Sequence, residues 1–262
     1  MNSLSLADAL KNIDLGETIG IFDSDRTDGR FLLYTLASSG NHDIIWISCS
    51  PSGTERNLML AMKRIGKGHG QNMSEGFIME NVINITSDIA QVAMENEKEL
   101  NFDGLIRSYI SRLAHRIKTI VDECKTKETI HRPLIVIDDI SELATLFGRD
   151  NLAVGFLQCL LSITTSVIFR ASMAIDQKDF FRSIKDDWLD GMNAMTKNSD
   201  GDVWERGLLD FCDTWIDVVP LESGFSREAH GRVIISNSTR RETLNYVCND
   251  YGVRAIRMHK ER

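Results

Sequence analysis

Residues 18–37 read TIGIFDSDRTDGRFLLYTLA, and the order of chemistry in this stretch decides the fold. A short apolar run from Thr18 to Phe22 has the length of a buried strand. A polar turn follows, Asp23-Ser24-Asp25-Arg26-Thr27-Asp28-Gly29, and then an apolar helical segment, Phe31 to Ala37, which Gly40-Asn41 ends. Working outward, the pattern repeats. Ile44 to Ser48 predicts a second buried parallel strand, Asn57 to Ile65 a helix, and Phe77 to Ile85 contains a short strand. The clearest helix runs from Asp103 to Cys124, with Ile106, Tyr109, Ile110, Leu113, Ile117, Ile120 and Val121 on one face. Pro133 precedes the best strand, Leu134 to Ile137, which Asp138-Asp139 closes. Helices are expected from Glu142 towards Phe147 and over Leu152 to Ser162, then a strand over Thr165 to Ala171.

Beyond that strand the character changes. Met173 to Asp202 is polar and carries Gly191, Asn193, Asn198, Ser199 and Gly201, so it reads as a long loop. Trp204 to Cys212 reads as helical. Four strand candidates then follow without helices between them: Trp215–Leu221, Arg232–Ser236, Leu244–Cys248 and Val253–Met258. Alternating β and α elements followed by a run of strands predict an α/β domain of the RecA-like P-loop type. Its sheet is mainly parallel, flanked by helices, with antiparallel C-terminal strands. Only 3 prolines occur and no Pro/Gly/Ser stretch marks a linker, so a single domain over residues 1–262 is expected.

The fold predicts a nucleotide site after the first strand, and the residues there have lost it. A working P-loop, GxxxxGK[ST], brings backbone N–H groups, a lysine and a metal-binding hydroxyl to the phosphates. In this slot the first glycine is Ser24, Gly29 survives, the lysine is Arg30, and the hydroxyl position is Phe31. Asp23, Asp25 and Asp28 would also crowd the phosphates. Two like charges about 4 Å apart at an effective dielectric near 20 repel by roughly 4 kcal/mol. Arg26 and Arg30 offset part of that without restoring the metal ligand. At the later strand, Asp138 and Asp139 occupy the Walker B position, where an active enzyme holds Mg²⁺ and orients water. With the P-loop broken, the simpler reading is that they end a buried strand and cap the next helix. No cofactor, no resident metal and no catalytic residue is expected.

Other candidates are weaker. Gly66-Lys67-Gly68-His69-Gly70 follows a helix and reads as its end. The six histidines show no metal-ligand spacing, and no serine sits in a GxSxG elbow. Cys49, Cys124, Cys159, Cys212 and Cys248 are odd in number and form no CxxC, so free thiols, mostly buried, are expected. The N-terminus is too polar for a signal peptide and no apolar run reaches membrane-spanning length, which predicts a cytoplasmic or nuclear protein with no membrane partner. Lys+Arg total 30 and Asp+Glu 38, a net charge of −8. Such a chain repels nucleic acid on average, so RNA binding requires local basic patches. The 173–202 stretch offers Lys178, Arg182, Lys185 and Lys197 beside Phe180, Phe181 and Trp188, interleaved with Asp176, Asp179, Asp186, Asp187 and Asp190.

Three patches carry a family resemblance: Thr27-Asp28-Gly29-Arg30-Phe31-Leu32, Pro133-Leu134-Ile135-Val136-Ile137-Asp138-Asp139-Ile140-Ser141, and the turn Gly224-Phe225-Ser226-Arg227-Glu228-Ala229-His230-Gly231. In order and spacing, and in the closing hairpin, the chain resembles the sixth-subunit family of the Elongator complex, Elongator complex subunit 6. The resemblance implies a RecA-like fold without ordinary Walker motifs. It implies a hetero-hexameric ring built with the related Elongator subunits 4 and 5. That ring binds tRNA and joins the catalytic Elongator subunits, which modify wobble uridines. In RecA-like rings the loops after the Walker B strand and after the next strand face the pore. Here these are Phe147–Asn151 and Met173–Asp202, making Arg149, Lys178, Arg182 and Lys185 the expected weak tRNA contacts. The alternative is an ATPase with a composite site to which this chain lends Arg227 or Arg254. A Rossmann-type enzyme is disfavoured by the missing GxGxxG.

Overall fold

The computed structural model describes residues 3–24, 26–40, 42–51, 53–67, 81–95, 101–126, 131–173, 204, 207–221, 228–249 and 252–257. In chain order the strands are β1 (Ser3–Ser5), β2 (Thr18–Ser24), β3 (His42–Ser48), β4 (Asn81–Asn84), β5 (Arg132–Ile137), β6 (Val167–Met173), β7 (Thr214–Pro220), β8 (Gly231–Asn237), β9 (Arg241–Asn249) and β10 (Gly252–Arg257). The helices are α1 (Leu6–Leu10), α2 (Arg30–Ala37), α3 (Glu55–Lys67), α4 (Ile85–Glu95), α5 (Phe102–Thr126), α6 (Ile140–Phe147) and α7 (Asp150–Ile163). All ten strands form one sheet in the order β1-β10-β9-β8-β7-β2-β6-β5-β3-β4. From β7 to β4 every neighbouring pair is parallel; from β7 to β1 every pair is antiparallel. This is the mainly parallel sheet with antiparallel C-terminal strands that the element order predicts.

The central strands are continuous apolar runs because both of their faces are covered. In β5, Ile135 and Ile137 enter one core with α4, α5, α6 and α7, while Leu134 and Val136 enter the other with α1, α2 and α3. β3 divides the same way: Ile45 and Ile47 face the first core, Ile44 and Trp46 the second. At about 25 cal/mol per Å², each such fully buried Ile or Val contributes roughly 1.5–3 kcal/mol, which is what makes these strands the rigid frame. The antiparallel strands instead alternate, as expected when one face carries less cover. Val233 and Ile235 of β8 and Leu244 and Tyr246 of β9 enter the same core as α1, α2 and α3, and the residues between them are less buried.

Three elements were not anticipated from the sequence: β1, α1 and α4. β1 has no periodicity to read in three residues and exists by pairing Leu4 with Ala255 of β10. α4 did carry a signal: Asn84 caps it, its side chain accepting from the Ser87 N–H at 3.0 Å. Among the described residues the sheet ends on strands of three and four residues, β1 and β4. Edges that short offer little template for an added strand. Cys49 and Cys124 are buried, but Cys159, on α7, is exposed. No described helix is long and apolar enough to cross a membrane.

Candidate functional site: a self-filled nucleotide slot

Ligands of open α/β sheets bind beyond the carboxyl ends of the parallel strands. There β2, β6, β5 and β3 deliver Asp23, Arg170, the Asp138-Asp139 pair and Ser48. The turn between β2 and α2 is closed on itself. Thr27 N–H donates to the Ser24 carbonyl at 3.0 Å, and Ser24 N–H donates to the Thr27 hydroxyl at 3.1 Å. That hydroxyl in turn donates to the Val218 carbonyl of β7 at 2.8 Å, pinning the turn to the sheet. Arg30 N–H donates to the Asp28 carboxylate at 3.0 Å, and Leu32 N–H to the Gly29 carbonyl at 2.9 Å. The N–H groups of Ser24, Thr27, Arg30 and Leu32 are therefore used within the chain.

Asp23, near the end of β2, brings a carboxylate to the start of α2. Its carboxylate is fully buried and accepts from the Gly29 N–H at 2.5 Å, an internal anion at the start of α2. Gly29 has to be glycine for this: a Cβ would lie 2.9 Å from Ile21 Cγ2 and 3.1 Å from the Asp23 carboxylate. The surviving glycine of the motif thus serves the chain's own carboxylate. Arg170 of β6 supplies the counter-charge. Its Nε donates to Asp23 at 2.6 Å and a terminal nitrogen donates to Asp139 at 2.6 Å. With 11% of its side chain exposed, Arg170 is a part-buried bridge between the P-loop position and the Walker B position. Burial pushes the Asp23 carboxyl above its ordinary range, and the Arg170 hydrogen bond and charge pull it back.

The acidic pair after β5 is similarly occupied. Asp139 caps α6, its other oxygen accepting from the N–H groups of Ser141 and Glu142 at 3.0 and 3.1 Å. Asp138 is buried; its two oxygens accept from the Ser48 hydroxyl and the Cys49 N–H, both at 2.7 Å. Burial raises the Asp138 carboxyl, opposing the full charge that a metal ligand needs. The residues of the slot do not fit a magnesium nucleotide. Among the described residues no group of three His, Cys, Asp or Glu side chains is placed to hold a metal ion. Calorimetry with Mg-ATP is accordingly expected to give no micromolar, Mg-dependent binding at this turn, and such binding would show that the turn reopens.

The other predicted residues have structural partners. Arg30 pairs with Asp28 at 2.7 Å on the surface. Phe31, at the lost hydroxyl position, packs its ring on Tyr246 of β9 with centroids 5.0 Å apart. Arg149 is ion-paired with Asp103 of α5 at 2.5 Å, so as a tRNA contact it would first have to leave that carboxylate. The expected loop from Phe147 to Asn151 is corrected to a tight joint. Phe147 is the buried end of α6, Gly148 turns the chain at φ 69°, and α7 starts at Asp150. Lys178, Arg182, Lys185 and Arg227 lie outside the described residues. Arg254 is exposed within β10, paired in register with Ser5 and Val247. The residue that sequence reasoning missed is Arg170. Its signal was a lone charge inside the apolar run Val167-Ile168-Phe169-Arg170-Ala171.

No protein-family model matches this chain, and no curated protein is significantly similar to it. Among solved structures, a KaiC-like protein from the hyperthermophilic archaeon Pyrococcus horikoshii OT3 is similar at a TM-score of 0.50 and 11% identity, over 92% of this chain and 90% of that one. A RadB recombinase aligns at a TM-score of 0.47 and 11% identity, over 95% of both chains. At 11% identity the likeness to the KaiC-like protein concerns the fold alone, and the fold is RecA-like.

Proposed function

We propose that this chain is a non-catalytic RecA-like subunit of a hetero-hexameric Elongator ring that binds tRNA and supports wobble-uridine modification. The observation that carries the non-catalytic part is the Asp23–Arg170–Asp139 bridge, which puts the protein's own ions where a nucleotide phosphate and its metal would sit. The ring and its partners, Elongator subunits 4 and 5 and the catalytic subunits, rest on the three resembling sequence patches. The short sheet edges favour ring contacts through helix faces and turns over contacts through added strands. A ring also reconciles a net charge of −8 with RNA binding, because several weak basic segments around one pore act together at high effective concentration. In this reading Lys178, Arg182 and Lys185 supply such a segment, and Arg149 joins them only by exchanging Asp103 for phosphate.

Native mass spectrometry of the chain purified from its own cells tests the assembly. A six-membered complex holding two related subunits beside this one is the expected mass. A soluble monomer with no relative attached would overturn the ring. ATP turnover by the purified ring that Arg227→Ala or Arg254→Ala abolishes would replace the proposal with a composite-site ATPase.

A further inference from the structure

A groove of about 840 Å³ lies between α5 and α7, on the sheet face opposite α2 and α3. Its floor is apolar, with Ile110 and Ala114 from α5 and Leu152 and Phe156 from α7. Its α5 wall is basic: Arg107, Lys118 and Lys125 stand there against one acid, Asp122. Lys118 pairs with Asp122 at 2.5 Å, and Lys125 reaches the Ile163 carbonyl at 3.3 Å. Arg107 is exposed and makes no hydrogen bond or ion pair among the described residues. In a chain of net charge −8 this groove is a local excess of positive charge, so its electrostatic complement is an acidic ligand.

Gly155 says what shape that ligand has. It lies inside α7 and lines the groove, and a Cβ added there would meet nothing within 4 Å. By contrast, a Cβ on Gly20 or Gly29 would strike neighbours at 2.5 and 2.9 Å. A glycine inside a helix is unfavourable relative to alanine, and nothing among the described residues requires one at 155. A bare backbone on a groove floor permits the close approach of another backbone. For two helices, separations near the low end of about 8–10 Å depend on small residues at the crossing. Nucleic acid is the poorer fit: Phe156 is the only Phe, Tyr or Trp among the described residues lining the groove, and it is buried, so no such ring is presented for a base to stack on.

We propose that the α5–α7 groove docks an acidic amphipathic helix of a partner protein. The apolar face of that helix covers the half-buried Ile110 and Leu152, its backbone comes closest at Gly155, and its carboxylates meet Arg107, Lys118 and Lys125. This goes beyond the ring reading and does not depend on it, because the groove belongs to the single chain.

The test is fluorescence anisotropy of the full chain with three labelled probes: a synthetic amphipathic helix with leucine on one face and glutamate on the other, its lysine-faced counterpart, and a tRNA transcript. The acidic peptide is expected to bind at least roughly tenfold more tightly than the basic one. Arg107→Glu combined with Lys125→Glu should reverse that preference. Gly155→Leu, a good helix former placed in open space, should leave the fold intact and weaken the acidic peptide by at least about tenfold. The bound peptide should also slow alkylation of the exposed Cys159, which lines the same groove. Equal binding of the two peptides, no binding of either, or tRNA binding that these variants abolish would each overturn the proposal. None of these results bears on whether the chain enters a ring.

Discussion

Arg170→Ala is expected to destabilise the protein by about 3–5 kcal/mol at neutral pH, the range for removing one partner of a buried ion pair. Arg170 holds Asp23 and Asp139 at 2.6 Å each, and Asp23 is fully buried. The loss is dominated by the carboxylate left without its cation, not by the bond itself. Asp23 already titrates above its ordinary range because of burial, and Arg170 supplies the two largest opposing influences. Without Arg170 the folded-state value moves higher still. A folded value above the unfolded one means stability that is complete below the unfolded value and is lost as pH rises through the folded value. The deficit should therefore be small in mild acid and largest at neutral pH. Pairing the change with Asp23→Asn, as Arg170→Ala/Asp23→Asn, removes the stranded charge and keeps an acceptor for the Gly29 N–H. Urea unfolding of the double variant should recover more than half of the loss. If the double variant is no more stable than Arg170→Ala, Asp23 is not the group that Arg170 serves.

The second large effect runs the other way: Asp217→Asn is expected to stabilise the fold. Asp217 lies in the middle of β7, between Phe22 of β2 and Ile234 of β8, and is 3% exposed. One of its carboxylate oxygens is buried without a hydrogen-bond partner. Burial pushes the carboxyl up to about 8, and the Arg241 charge only partly opposes this. With an unfolded value near 3.9, the wild-type protein carries no penalty below about pH 4 and a growing one from there to about pH 8. Asparagine does not ionise, so the two proteins should match near pH 4 and diverge steadily as pH rises. At pH 8 the gain should be roughly 2–4 kcal/mol, less than the full linkage value because water and small movements relieve a buried charge. Thermal unfolding across a pH series measures this directly. Parallel curves for the two proteins from pH 4 to 8 would mean that Asp217 finds a partner when it ionises.

The sequence by itself determined the class of the fold and showed which P-loop residues are missing, because both are written in short-range chemistry. The run Leu134 to Ile137 is apolar at every position because both faces of β5 are covered, and that shows in four consecutive residues. Ser24, Arg30 and Phe31 stand where a P-loop needs glycine, lysine and a hydroxyl. Asp139 precedes Ser141 and Glu142 at capping distance, so its role in starting α6 is also local. What fills the empty slot was decided by tertiary structure alone. Asp23 and Arg170 are 147 positions apart, and they meet because β6 lies beside β2 in the sheet. The ring of Phe31 finds Tyr246, and β1 finds β10, through contacts that span nearly the whole chain. The α5–α7 groove likewise has no sequence signature, since each helix alone shows only an amphipathic face. Periodicity and capping report what a residue needs from its immediate neighbours. Which distant residue supplies a buried counter-charge depends on strand order, and strand order is set by the collective burial of both sheet faces.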